Sequence, residues 1–230
     1  MATRTLVLMR QDVRNKADAP SANFPTDAEL TRDLNVSARK LYDLLLDAGY
    51  QEPFLASATI PIVSGTDAYA LPDGTLYTAA PRFYRALGVD LSLGTRKVAL
   101  RPFNFTERNQ FIPGGWLPDV ASYRIMGGNI RFIPVPTTSR TVTLWYAPLL
   151  TDMSGDSDTL EGFNGFEEFA VLDCAIKYCN KSRLDAMGFL QQLQMETERI
   201  QSAISKRDQS STQAVTDVTT MDIDPYWRVF

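Results

Sequence analysis

The apolar residues of this chain repeat with one period at its two ends and another in the middle, and this switch limits the fold more than any other feature. From Thr3 to Gly49 they recur every three or four positions, the spacing of one helix face. Leu6, Met9, Val13 and Ala17 make a first stripe, broken at Pro20 and the Ser-Ala-Asn that follows. Thr26-Asp27-Ala28-Glu29 then reads as a capping box: the Thr26 oxygen caps early amides and Glu29 reaches back. Leu30, Leu34, Ala38, Leu41 and Leu45 continue as one stripe to Gly49, a residue suited to a helix C-terminal cap. Arg32, Asp33, Arg39 and Asp43 lie mainly off that stripe and are expected to face solvent.

Between Phe54 and Leu149 the period changes. Thr59 to Val63 and Ala68 to Leu71 are strand candidates across the turn cluster Ser64-Gly65-Thr66-Asp67. Tyr84 to Leu91 and Lys97 to Arg101 are two more, joined across Ser92 to Thr95. Asn104 to Phe111 suits a short helix, halted by Pro113-Gly114-Gly115. Ser122 to Met126 then runs into Gly127-Gly128 and returns as Asn129 to Pro134. A Gly-Gly pair supplies positive φ at both positions of a type I′ hairpin. Tyr123 and Ile125 alternate with Arg124, and Ile130 and Phe132 with Arg131, so each strand has one buried face. Thr141 to Tyr146 is the last strand. Together these predict a small antiparallel sandwich or barrel.

Gly162 to Arg207 is helical again. Phe166, Phe169, Leu172, Ile176 and Cys179 form a stripe, with the acidic Asp158 to Glu161 just upstream, where a helix N-terminus favours negative charge. After a break near Lys181-Ser182-Arg183 a second helix carries Ala186, Leu190, Leu193, Thr197, Ile200 and Ile204; it is expected to pack on the N-terminal pair. Beyond it lie a polar linker, Gln209 to Gln213, a Thr/Val-rich run, Val215 to Met221, and a final segment with three aromatics in its last five residues. The fold class is therefore α+β. Helices from 1–50 and 160–207 form one bundle, an antiparallel β domain of 51–150 is inserted into it, and 208–230 is an extended C-terminal tail.

Composition excludes more chemistry than it suggests. Apolar residues are 44% of 230, enough for a core without metals or disulfides. There is no histidine, so the commonest general acid–base and the commonest catalytic metal ligand are both missing. The net charge of −4 and the scattered basic residues argue against a phosphate-gripping surface. Cys174 and Cys179, five apart on one helix, diverge by ~140° and are read as small buried hydrophobes rather than a disulfide or zinc pair. No phosphate-binding glycine loop occurs. Ser154 to Asp158 lacks the later ligands of a calcium loop, and the carboxylate pairs Glu167/Glu168, Asp156/Asp158 and Asp222/Asp224 do not converge by spacing alone. No catalytic residue, metal site or cofactor is assigned. Arg82, Arg85, Arg96, Lys97 and Arg101, interleaved with Phe83 and Tyr84, read as outward-facing strand residues, with contact to DNA or an acidic partner as the functional alternative. Met1 to Arg10 is too short in apolar content for a signal-peptide core, and no stretch approaches the ~20 apolar residues that span a bilayer, so the chain is expected to be made in the cytosol.

Three passages resemble the head-to-tail adaptor proteins of tailed bacteriophages. These are Phe24-Pro25-Thr26-Asp27-Ala28-Glu29-Leu30 running on to Leu34-Asn35-Val36-Ser37-Ala38; Tyr69-Ala70-Leu71-Pro72 followed by Phe83-Tyr84-Arg85; and Tyr123-Arg124-Ile125 leading to Pro134-Val135-Pro136 and Val142-Thr143-Leu144-Trp145-Tyr146. They cover most of residues 3–207, in the family's order. The resemblance implies a structural virion protein, made in the host cytoplasm and ending in the virion neck. It implies a ring, typically of twelve copies, below the portal protein. Such a ring extends the channel for genomic DNA, which it does not bind specifically, and offers a platform for a tail nozzle or tail tube protein. In the family the C-terminal extension reaches toward the portal, so Tyr226, Trp227 and Phe230 are expected to anchor there, with Pro225 stiffening the approach. Two other readings stand beside it. One is a β-sandwich that binds carbohydrate or a receptor through Phe103, Phe105, Phe111 and Trp116, on a helical stalk. The other is a stopper or tail-completion protein.

Overall fold

In the computed structural model, which describes residues 4–18, 25–107, 120, 122–161, 163 and 165–206, two helices open the chain. Helix α1 (Leu6–Lys16) turns Leu6, Met9 and Val13 inward, and α2 (Asp27–Asp47) does the same with Leu30, Leu34, Ala38, Leu41 and Leu45. The break read at Pro20 and the residues after it lies outside the described residues.

The ends of α2 have local causes. The Glu29 amide donates to Thr26 Oγ1 at 3.3 Å. The Glu29 carboxylate, however, pairs with Lys181 rather than returning to the Thr26 amide; a charge-assisted bond outcompetes a neutral one. At the other end Gly49 has φ +90°, its amide donates to Leu46 O, and the Tyr50 amide donates to Leu45 O at 2.9 Å. This is the Schellman pattern, in which a left-handed residue lets the chain satisfy the last carbonyls. Thr26→Ala should cost about 1 kcal/mol. A drop of a few degrees in melting temperature, measured by circular dichroism, checks this.

The middle of the chain forms β1 (Ala56–Ile62), β2 (Ala68–Ala70), the turn α3 (Leu76–Ala79), β3 (Phe83–Leu93), β4 (Arg96–Ala99), β5 (Arg101–Pro102), β6 (Ser122–Met126), β7 (Asn129–Ile133) and β8 (Arg140–Pro148). The strands make two four-stranded sheets, ordered β1-β8-β3-β4 and β2-β7-β6-β5. All pairings are antiparallel except the short β5–β6 contact. The chain passes from one sheet to the other at both edges, β1 to β2 and β4 to β5, yet no barrel closes. Ile60, Leu91, Val142 and Leu144 of one sheet and Ile130 and Phe132 of the other share one buried cluster. The β6–β7 hairpin has the expected register, Met126 opposite Asn129, with φ +56° at Gly127 and +80° at Gly128. Of the helix read at Asn104 to Phe111, a single turn of 3-10 helix at Phe105–Glu107 lies within the described residues.

Turn α3 is left-handed. Tyr77, Thr78 and Ala79 have φ of +53°, +64° and +58°, a conformation costing roughly 1–2 kcal/mol per L-residue. Asp73 Oδ1 offsets part of it by accepting from the Thr75 amide and hydroxyl and from the Leu76 amide, and the Tyr77 hydroxyl donates to Ala70 O.

After β8 come α4 (Glu167–Ser182) and α5 (Met187–Ser205). Two expectations change here. First, α4 packs most extensively on the N-terminal pair, and α5 reaches the same core through Ile200 and Ile204. Phe169, Val171, Cys174 and Ala175 join the α1–α2 cluster, while Ile176 and Cys179 face Ala17 and Ala186. Small residues such as Ala170, Cys174 and Ala175 let helices approach α4 from several sides. Helix α5 packs chiefly on α4 and fully buries only Ile200 and Ile204. Second, the acidic stretch near Asp158 lies at the amino end of α1, not of α4: the Leu6 amide donates to Asp158 O at 2.8 Å and the Val7 amide to Asp156 O.

A polar cluster locks α2 to α4. Asp173, 8% exposed, accepts from Ser37 Oγ at 2.7 Å and from Lys40 and Lys177 at 2.9 Å each. Burial alone would raise its pKa; the bonds from Ser37, Lys177 and Lys40 outweigh that and hold the carboxyl below its ordinary range. The β section is tied to α2 by Tyr42, whose hydroxyl donates to Pro148 O, and by Arg85, which pairs with Asp47 at 2.6 Å.

Candidate functional site

The sequence offers no catalytic centre, and the structure places its reactive groups in structural roles. Cys174 and Cys179 are buried in different clusters and unbonded to each other. Burial pushes the Cys174 thiol up to about 12 and also raises that of Cys179, so neither is a thiolate near neutral pH. Of the Glu167/Glu168 pair, Glu168 takes Arg4 at 2.6 Å and Lys16 at 2.8 Å, while Glu167 is sealed in the interior. Asp156 pairs with Arg10. Asp158 accepts from the Ser154 and Gly155 amides, both at 2.8 Å, which closes the loop as a turn and holds its pKa down. Among the described residues no group of acidic or cysteine side chains is placed to hold a metal, and no helix is long and apolar enough to cross a membrane. Asp222/Asp224 lies outside them.

The surfaces are more informative. Of the aromatics expected for a carbohydrate- or receptor-binding reading, Phe103 is buried, 6% exposed, with its amide donating to Tyr123 O. Phe105 is exposed, with the Arg124 guanidinium 5.8 Å from its ring centre. Phe111 and Trp116 lie outside the described residues. Arg82, Arg85, Arg96, Lys97 and Arg101 all face solvent, as read for outward strand positions. Helix α5 leaves Met187, Leu190 and Met195 exposed, with Leu184 just before it. Of these, Leu190 lay on the stripe read for burial, and the packing of α5 does not cover it. An open cleft of about 250 Å³ runs between Tyr42, Phe54, Leu149 and Leu160, and adjoins another lined by Asp152, Asp158 and Glu161. The expected portal anchors Pro225, Tyr226, Trp227 and Phe230 lie outside the described residues.

Among the described residues, then, the reactive side chains are engaged in packing, turns and ion pairs. Against known families, a profile described as SU10 adaptor protein matches residues 4–220. The chain belongs to the SU10 adaptor protein family. This is a phage head-to-tail adaptor family, so the protein is a structural adaptor of the virion neck that associates with portal and tail components. The SU10 adaptor match takes in both helical ends, the whole β section and part of the segment beyond α5. No curated protein matches the chain.

Proposed function

We propose that this SU10 adaptor acts by assembly alone. Copies close into a ring, typically of twelve, beneath the portal protein, extend the DNA channel, and present a platform to a tail nozzle or tail tube protein. In this reading the helical bundle carries the β sandwich as an insertion, and Pro225, Tyr226, Trp227 and Phe230 reach the portal. The observation that carries it is the family match across 4–220. A net charge of −4 suits a channel wall along which DNA slides without sticking. Ring interfaces of this kind are head-to-tail contacts that close on rotation.

The test is the mass of the purified protein by light scattering, alone and mixed with its portal protein. A single copy alone and one large closed complex with portal is the expected result. A single copy in both mixtures rejects the ring.

A further inference from the structure

Ion pairing is uneven across this molecule. Among the described residues outside 51–150, every basic side chain except Arg183 and Lys206 has a carboxylate partner. Among the described residues within 51–150, Arg85 and Arg131 alone have one. Arg124 donates to the Phe103 carbonyl and Arg140 to Thr138, while Arg82, Arg96, Lys97 and Arg101 pair with no carboxylate. The composition follows the same division: residues 51–150 hold nine basic and six acidic side chains, the remainder fourteen and twenty-one.

The unpaired cations and the surplus acids lie at opposite ends. Lys97 sits opposite Ser92, and Ser92 opposite Thr141, at the start of β8; Phe83 sits opposite Pro148 at its end, beside α2. The tip of the β3–β4 hairpin is therefore about 24 Å along β8 from the helical end. Strand β4 is also an outer strand, with Arg96 and Lys97 at its start and Arg101 just past it. Past Pro148, residues 151–161 hold Asp152, Asp156, Asp158 and Glu161 and no basic residue. Asp152, Asp158 and Glu161 line an open cleft of about 370 Å³; Asp152 pairs with Arg39 and Asp156 with Arg10, which leaves Asp158 and Glu161 as the carboxylates there without a cation. Glu161 is exposed there and takes part in no ion pair.

Cations on an outer strand do protect it from edge-to-edge pairing. That role does not call for an acidic counterpart at the far end of the same chain, which is what a head-to-tail contact requires. We propose that the β3–β4 edge of one copy, carrying Arg96 and Lys97, with Arg101 at the start of β5 following it in the chain, seats against the acidic 151–161 segment of a second copy. The inference rests on the ring reading and names the two surfaces that would meet in it.

The full-length protein tests it on its portal. Lys97→Cys and Glu161→Cys chains, mixed and assembled, should be joined by a short bis-maleimide into a mixed dimer that neither chain forms alone; the native cysteines are 1% and 2% exposed and do not compete. Arg96→Glu with Lys97→Glu should weaken ring assembly about tenfold at low salt without changing the melting temperature, and adding Glu161→Lys should restore part of it. Wild-type rings with no mixed dimer, and assembly indifferent to the reversal, overturn the inference and leave the ring standing. Intact assembly with altered retention of duplex DNA overturns it in favour of a DNA contact. No ring from the wild type overturns both.

Discussion

Removing residues 222–230 should abolish binding to the portal protein and leave the free chain folded. The deleted segment, Asp222 to Phe230, contains Tyr226, Trp227 and Phe230. Aromatic anchors at interfaces each carry about 2 kcal/mol or more when truncated. Three of them together represent roughly four orders of magnitude in affinity. Pro225 restricts the chain just before them, which lowers the entropy lost on docking. Folding should survive because residues between Leu6 and Ile204 supply one another's burial in the three core clusters. Isothermal titration against portal and a melting curve of the same sample give the two readouts. Unchanged affinity would remove the tail from the portal contact and assign that contact to the body of the molecule. Loss of folding would show instead that the tail packs on its own chain.

Replacing Asp173 with Ala should destabilise the protein by about 3 kcal/mol. The change removes three bonds to one buried carboxylate, from Ser37, Lys40 and Lys177, and leaves the Lys177 charge at the α2–α4 interface with only the neutral Asp33 carbonyl and Ser37 hydroxyl as partners. For a chain of this size that corresponds to a fall of roughly 6–12 °C in melting temperature. The same carboxylate should set part of the acid sensitivity. Its folded-state pKa is depressed, so its contribution is fully present above its unfolded value of about 3.9. It is lost as pH falls through the lower folded value. Urea midpoints across that acid range should therefore fall more steeply in the wild type than in Asp173→Ala. Parallel slopes would show that other carboxylates control the acid limb.

Where a feature depends on residues within about one helical turn or one hairpin, the amino-acid order alone determined it. Thr26 and Gly49 bound α2 because a cap needs an oxygen or a left-handed residue a few positions from the amides or carbonyls it satisfies. Gly127-Gly128 sets the hairpin register because only that pair takes positive φ twice without cost. The α1 and α2 stripes, the surface position of Arg96 and Lys97, and the family passages were legible for the same reason. The tertiary structure decided the rest. Ser37 and Asp173 meet across 136 positions, and no period in either helix marks that meeting. Helix α4 became the central helix because three neighbours converge on its small residues, which a single stripe of apolar positions does not foretell. Phe103, one of four aromatics read as a binding face, is buried, its amide held by Tyr123 O twenty positions along the chain. The left-handed turn at Tyr77 to Ala79 contradicts local preference outright. Asp73, Ala70 and the surrounding core hold it there, since only contacts made after folding can offset a conformation that the residues themselves disfavour.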